Sequence, residues 1–148
     1  AALKNIIAIA AGVVESLDLG HNALAALITR GLAEISRLAC AMGGRRETLA
    51  GLSGLGDLVL TCTGTLSRNR HVGVELGHGR PLASVLAGMR MVAEGVRTTS
   101  EALKLGEAHD VDLPIAAQMA EVLAGRRSPR EAVGCLMLRP QRGELETE

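Results

Sequence analysis

Apolar positions recur at helical spacing along nearly the whole chain. Over residues 2–19 they fall at Ile6, Ile7, Ala10, Val13, Val14 and Leu17, and Gly20 follows as a C-terminal stop. Asn22 is a good N-cap for a second helix, whose stripe of Leu24, Leu27, Ile28, Leu32, Ile35, Leu38 and Met42 has the 3–4 spacing of a buried face. Gly43-Gly44 ends it. The pattern then predicts a short helix over 47–52, broken by Ser53, Gly54 and Gly56, and a short apolar run over 57–62. That run is assigned to helix, although Leu58, Val59, Leu60 and Thr61 suit a strand equally. Ser67 caps a helix reaching about residue 76, and Pro81 sits at the first position of another reaching about 87. Thr98 and Glu101 have capping-box spacing within a helix over 94–108. Asp112 and Pro114 introduce one to 123, and the box Ser128-Pro129-Arg130-Glu131 opens a last helix to 138. The polar tail from 140 is expected to fray, which leaves an ordered domain over 1–138. No glycine fingerprint follows a strand, and no period of 20–50 residues repeats. The fold class expected is all-α, a compact multi-helix domain.

Composition narrows the chemistry. The 148 residues fit one domain and are 47% hydrophobic, with no Phe, Tyr or Trp, so the core must be aliphatic and no aromatic platform exists for stacking bases. Sixteen basic residues balance sixteen acidic ones, which does not favour nucleic acid or an anionic membrane. Lys4, Glu15, Arg30 and Glu34 interrupt the longest apolar stretches, against a membrane span, and no signal peptide opens the chain. Cys40, Cys62 and Cys135 lie far apart and read as reduced, buried thiols of a cytoplasmic protein. Neither they nor the four histidines show metal-ligand spacing, so no metal is expected. All but two of the cations are arginine; the exceptions are Lys4 and Lys104.

The stretch from Gly54 to Arg70 holds the densest chemistry. Asp57 follows a Gly-x-Gly turn, and ten residues on come a hydroxyl, a guanidinium and an amide, Ser67-Arg68-Asn69. If Ser67 caps a helix, the backbone N–H groups of Asn69 and Arg70 face outward with the positive end of the dipole behind them, and Arg68 can add a charge-assisted pair to a phosphate. The plainer alternative is a capped helix with a solvated Arg-x-Arg face. Lys4 lies near a helix start where the macrodipole disfavours cations, flanked by Leu3, Ile6 and Ile7. It reads either as a snorkelling side chain or as a general acid for a carbonyl oxygen. Asp57 reads as an N-cap or as a partner for Lys4 and a substrate hydroxyl. Asn5, Thr61 and Thr63 are second-tier candidates for the same cleft. Lys104 is expected to be solvated, and Glu34 with Arg37 to form an ordinary surface pair.

Six segments occur in order: Ala2-Leu3-Lys4-Asn5, Ala26-Leu27-Ile28-Thr29-Arg30-Gly31, Gly54-Leu55-Gly56-Asp57-Leu58, Thr61-Cys62-Thr63, Ser67-Arg68-Asn69 and Val92-Ala93-Glu94-Gly95. Together they closely resemble the C-terminal, substrate-binding domain of bacterial-type NAD(P)-dependent glycerol-3-phosphate dehydrogenase, over residues 1–138. Each segment alone is weak; six in register are specific. The resemblance implies the all-α, 6-phosphogluconate-dehydrogenase C-terminal-like fold, normally attached to an N-terminal Rossmann domain that carries most of the NAD or NADP site. It implies Lys4 as the catalytic proton donor to dihydroxyacetone phosphate, and as proton acceptor from sn-glycerol 3-phosphate. Asp57, Ser67, Arg68 and Asn69 become substrate contacts, and Arg68, Val92 and Glu94 cofactor contacts. Gly64 replaces a more usual small polar residue. The chain starts after the Rossmann half and is expected not to turn over alone. Two rivals stand beside this reading: the substrate domain of a different hydroxy-acid reductase, and a non-catalytic helical module for dimerisation or phosphometabolite binding. The Ala/Gly-rich second helix suits packing against another subunit as well as against its own core, so a homodimer is compatible.

Overall fold

The computed structural model describes residues 2–45, 47, 52–91 and 93–138. The expected helix over 47–52 and the tail beyond 138 lie largely or wholly outside them. Among the described residues eight α-helices follow one another: α1 (Ala2–Ser16), α2 (His21–Ala41), α3 (Asp57–Thr63), α4 (Arg68–Gly77), α5 (Leu82–Ala87), α6 (Glu94–Ala108), α7 (Pro114–Leu123) and α8 (Pro129–Leu138). A π-helical turn, Leu52–Gly56, leads into α3. Among the described residues there is no strand, and the ambiguous run after Gly56 is helix.

The central element is α1, whose stretch from Ile6 to Val14 is apolar on every side, as a helix must be where other helices surround it. Ile6, Ile7, Ile9, Val13 and Val14 are inaccessible or nearly so, each burial contributing about 1.5–3 kcal/mol. Around it pack α4 most extensively, then α6, α2, α3, α7 and α8. The crossing with α4 is made backbone to backbone. A Cβ at Gly12 would lie 2.1 Å from the Arg70 carbonyl oxygen, and one at Gly73 would lie 1.9 Å from that of Ile9. Aliphatic side chains could not interdigitate there; removing them brings the two helix axes together. Farther out, the Arg30 guanidinium on α2 donates to the Leu136 carbonyl at 2.9 Å, closing the α2–α8 corner.

Helix ends divide into those fixed locally and those fixed from afar. The Ser128 box forms in full: the Ser128 N–H donates to Glu131 Oε1 at 3.3 Å and the Glu131 N–H to Ser128 Oγ at 3.1 Å. Ser67 Oγ accepts from the Arg70 N–H at 3.2 Å, as an N-cap should. Four expectations need correction. The first helix ends at Ser16 rather than 19, because Asp18 turns the chain with φ 56°. The cap of α2 is Gly20, at φ 90°, so Asn22 lies inside the first turn. Pro81 is itself the N-cap of α5 and the helix begins at Leu82. The Thr98–Glu101 box does not form: Thr98 is already within α6, and its hydroxyl donates to the Glu94 carbonyl four residues back.

Candidate functional site

Lys4 is on the first turn of α1 and Asp57 opens α3, 53 residues on. The fold brings Nζ to 2.8 Å from Asp57 Oδ2. Gly56 takes the N-cap position, so the Asp57 carboxylate is not used on its own helix start. The pair is wet rather than dry: the side chains keep 32% and 52% of their accessible surface. Lys4 is thus half-buried beside the apolar Leu3 and Ile6, not sealed among them. One ammonium hydrogen goes to Asp57, and the others remain for a ligand oxygen.

On the far side of Lys4 a cleft of about 380 Å³ opens, and Ser67, Arg68, Asn69, Asn5, Thr61 and Glu94 line it. The anchor of its wall is the start of α4, held against α1 by the Gly12–Gly73 crossing. Ser67 caps that helix and thereby takes the Arg70 N–H, one of the two amides expected to meet an anion. Arg68 is exposed, and its Nη1 meets Met91 Sδ at 3.8 Å, a weak acceptor. Asn69 is buried, and its Oδ1 accepts from the Gly95 N–H at 2.8 Å. Glu94, the first residue of α6, is exposed at the same cleft. Val92 lies outside the described residues. Of the second-tier candidates, Asn5 and Thr61 line the cleft, with the Thr61 hydroxyl donating to the Asp57 carbonyl at 2.8 Å. Thr63 donates to the Val59 carbonyl and is not part of the cleft lining. Lys104 is exposed on α6.

Three features escape a reading of local pattern. The Arg70 guanidinium clasps both carboxylate oxygens of Glu15, tying the first turn of α4 to the end of α1. The Gly95 amide at the start of α6 has no local cap, because the N-cap residue Ala93 has no polar side chain, and Asn69 satisfies it from another element; that lack is the one local sign that a partner must come from elsewhere. Glu34 is the third. Far from forming a surface pair with Arg37, it is fully buried. Its two carboxylate oxygens accept from the N–H groups of Ile115 at 2.9 Å and Ala116 at 3.1 Å, at the start of α7. Burial pushes its pKa up to about 7, against the two amides and the Arg37 charge, which pull it down. Arg37 itself donates to the Asp112 carbonyl at 3.3 Å. The cysteines also divide: Cys62 is buried, with its thiol pushed up to about 12 by burial, Cys40 is partly accessible, and Cys135 is exposed rather than buried as expected. Among the described residues no group of three His, Cys, Asp or Glu side chains converges as a metal site.

Residues 1–134 match the family described as NAD-dependent glycerol-3-phosphate dehydrogenase C-terminus. The chain belongs to that family. It is 66% identical over 144 residues to a glycerol-3-phosphate dehydrogenase [NAD(P)+] of Acidobacterium capsulatum, covering 97% of this chain and 43% of that protein. Against the enzyme of the same name from Koribacter versatilis it is 62% identical, with the same coverage. A crystal structure of glycerol-3-phosphate dehydrogenase from Coxiella burnetii superimposes with a TM-score of 0.89 at 44% identity, over 93% of this chain and 42% of that one. The chain therefore spans less than half the length of these members of the glycerol-3-phosphate dehydrogenase family, and its all-helical fold is that of their C-terminal part.

Proposed function

We propose that this chain is the substrate-binding and proton-transfer half of an enzyme that interconverts dihydroxyacetone phosphate and sn-glycerol 3-phosphate with NAD or NADP. The observation that carries the reading is the meeting of Lys4 and Asp57 at 2.8 Å beside the cleft whose wall is the capped start of α4. A proton donor and an anion seat then face one small volume, as a phosphorylated ketone requires.

In this mechanism the phosphate lies against the amides of Arg68 and Asn69 at the positive end of α4, with the Arg68 guanidinium beside it. Anchoring the phosphate holds the carbonyl near Lys4, which is catalysis by positioning. When bound, the nicotinamide supplies the hydride to the carbonyl carbon in reduction and takes it back in oxidation. As the C–O double bond becomes a single bond, the Lys4 ammonium transfers a proton to the oxygen; in reverse, the neutral amine accepts it. Asp57 holds Nζ in place and balances its charge. The residues suit a cofactor at the same mouth: the Arg68 donors meet only a thioether among the described residues, and the Glu94 carboxylate beside them can accept from an amide. Val92 is assigned to the cofactor with them.

Leu66, which lines the cleft, is 95% exposed, and Met91 beside Arg68 is largely exposed. Such an apolar rim suits cover by a preceding dinucleotide-binding domain, which we assign to the full-length enzyme. We place that enzyme in the cytoplasm, supplying glycerophospholipid synthesis, and a homodimer is compatible with it. The test is turnover by the full-length protein. Arg68→Ala should raise KM for dihydroxyacetone phosphate by at least about tenfold while hardly changing the slow reduction of unphosphorylated dihydroxyacetone. Equal losses on both ketones would remove Arg68 from phosphate recognition. Full-length protein that binds the phosphate ester but never oxidises NADH or NADPH would mark a non-catalytic binding module instead.

A further inference from the structure

Asn69 is held by a hydrogen bond whose direction is unambiguous. A backbone N–H can only donate, so the atom facing Gly95 at 2.8 Å must be the carboxamide oxygen. The residue as a whole is 9% exposed and lines the cleft. Its side-chain nitrogen makes no hydrogen bond with the described residues and keeps access to solvent. The two faces of one amide thus have separate tasks, the oxygen turned to the start of α6 and the NH2 left for whatever enters.

We propose that the Gly95 N–H is a positioning group for Asn69: by occupying Oδ1 it presents only the Nδ2 donors to the cleft, so this wall selects anionic and carbonyl oxygens and rejects ligand donors. The inference rests on the cleft being the phosphate seat. An asparagine free to flip could offer either face, and would discriminate a phosphate from an alcohol or an amine poorly. Burial among α1, α4 and α6 removes that freedom. The glycine is part of the device. A Cβ at position 95 would lie 2.9 Å from Asn69 Oδ1, 2.9 Å from Ile9 Cδ1 and 3.0 Å from the Asn5 carbonyl oxygen, so any larger residue pushes the amide out of line. Asn69 at the same time supplies α6 with the cap that Ala93 lacks. Anion seat and Glu94 helix start are therefore one hydrogen-bonded unit rather than two neighbouring surfaces.

Asn69→Asp separates the two tasks, because a carboxylate still accepts from Gly95 but offers the cleft an acceptor in place of a donor. In the full-length enzyme, melting temperature should stay near wild type, KM for dihydroxyacetone phosphate should rise by at least about tenfold, and inorganic phosphate should cease to inhibit. Unchanged KM and phosphate inhibition would reduce Asn69 to a plain helix cap and overturn the proposal. Should that variant fail to fold, Gly95→Ala reads the same contact: KM for the phosphorylated ketone should rise while that for NADH or NADPH moves less, and an unmoved substrate KM would again overturn it. A through-hydrogen-bond scalar coupling between the Gly95 amide nitrogen and the Asn69 side-chain carbonyl carbon should appear without ligand, and its absence would refute the contact whatever the enzyme does. Wild type that shows the coupling yet neither binds inorganic phosphate nor reduces the ketone would overturn the dehydrogenase reading, and the selectivity assigned to Asn69 with it.

Discussion

Asp57 and Glu34 are both carboxylates aimed at cationic or amide hydrogens across the helix packing, yet one half of the molecule leaves its carboxylate wet and the other seals it. Asp57 meets an ammonium at a cleft mouth with about half its surface still open. Glu34 has none exposed and spends both oxygens on the amides of α7. A pair whose ammonium must also reach an incoming ligand has to stay near solvent, where the attraction between the two charges is screened. A carboxylate whose task is to finish a helix has no such need, and burial makes each of its hydrogen bonds costly to lose.

The sharpest way to break the contrast is on the wet side. Lys4→Ala in the full-length enzyme should lower kcat by about 10²–10⁴ with far less change in substrate affinity, as expected for loss of a general acid, while leaving the melting temperature close to wild type. An unchanged kcat would remove Lys4 as proton donor. On the dry side the pattern reverses. Glu34→Ala should destabilise by about 2–4 kcal/mol, from a cavity and two orphaned amides, as read in denaturant unfolding. A stability change near zero would show that α7 does not depend on it.

Next comes pH. The native Glu34 carboxyl, at about 7, holds its proton more tightly than the unfolded one at 4.5. Its contribution is therefore fully present below the unfolded value and is lost as pH rises through 7. This group should remove roughly 2 kcal/mol of stability between about pH 5 and pH 8, and Glu34→Gln, which cannot ionise, should flatten that slope. A slope identical in both proteins would assign it to other groups. The smallest effect should come from Ser128→Ala, far from both carboxylates: about 1 kcal/mol lost with the α8 capping box, and kcat untouched.

What could be seen in the chain beforehand follows the same divide between near and far. Ser67 and the Ser128–Glu131 box are legible because cap and amide lie within one turn. The all-helical class is legible because nearly every apolar residue keeps a 3–4 spacing. The helix over 94–108 is where the pattern puts it, but the Thr98–Glu101 box plays no part in starting it: the start is held by Asn69 from another element. Glu34 looked superficial because Arg37 follows it by one turn, whereas its real partners are 81 and 82 residues away. Lys4 and Asp57, 53 residues apart, could be paired from the residues only as one of two alternatives, since no local rule joins them, and the family resemblance favoured that one.

The crossing at Gly12 and Gly73 has a consequence for any attempt to redesign what this crevice accepts. Because two main chains touch there with no side chain between them, the span from ammonium to anion seat works as a fixed caliper that rotamer changes cannot reset. A longer or shorter ligand would have to be fitted by moving whole helices, starting from those two bare α-carbons.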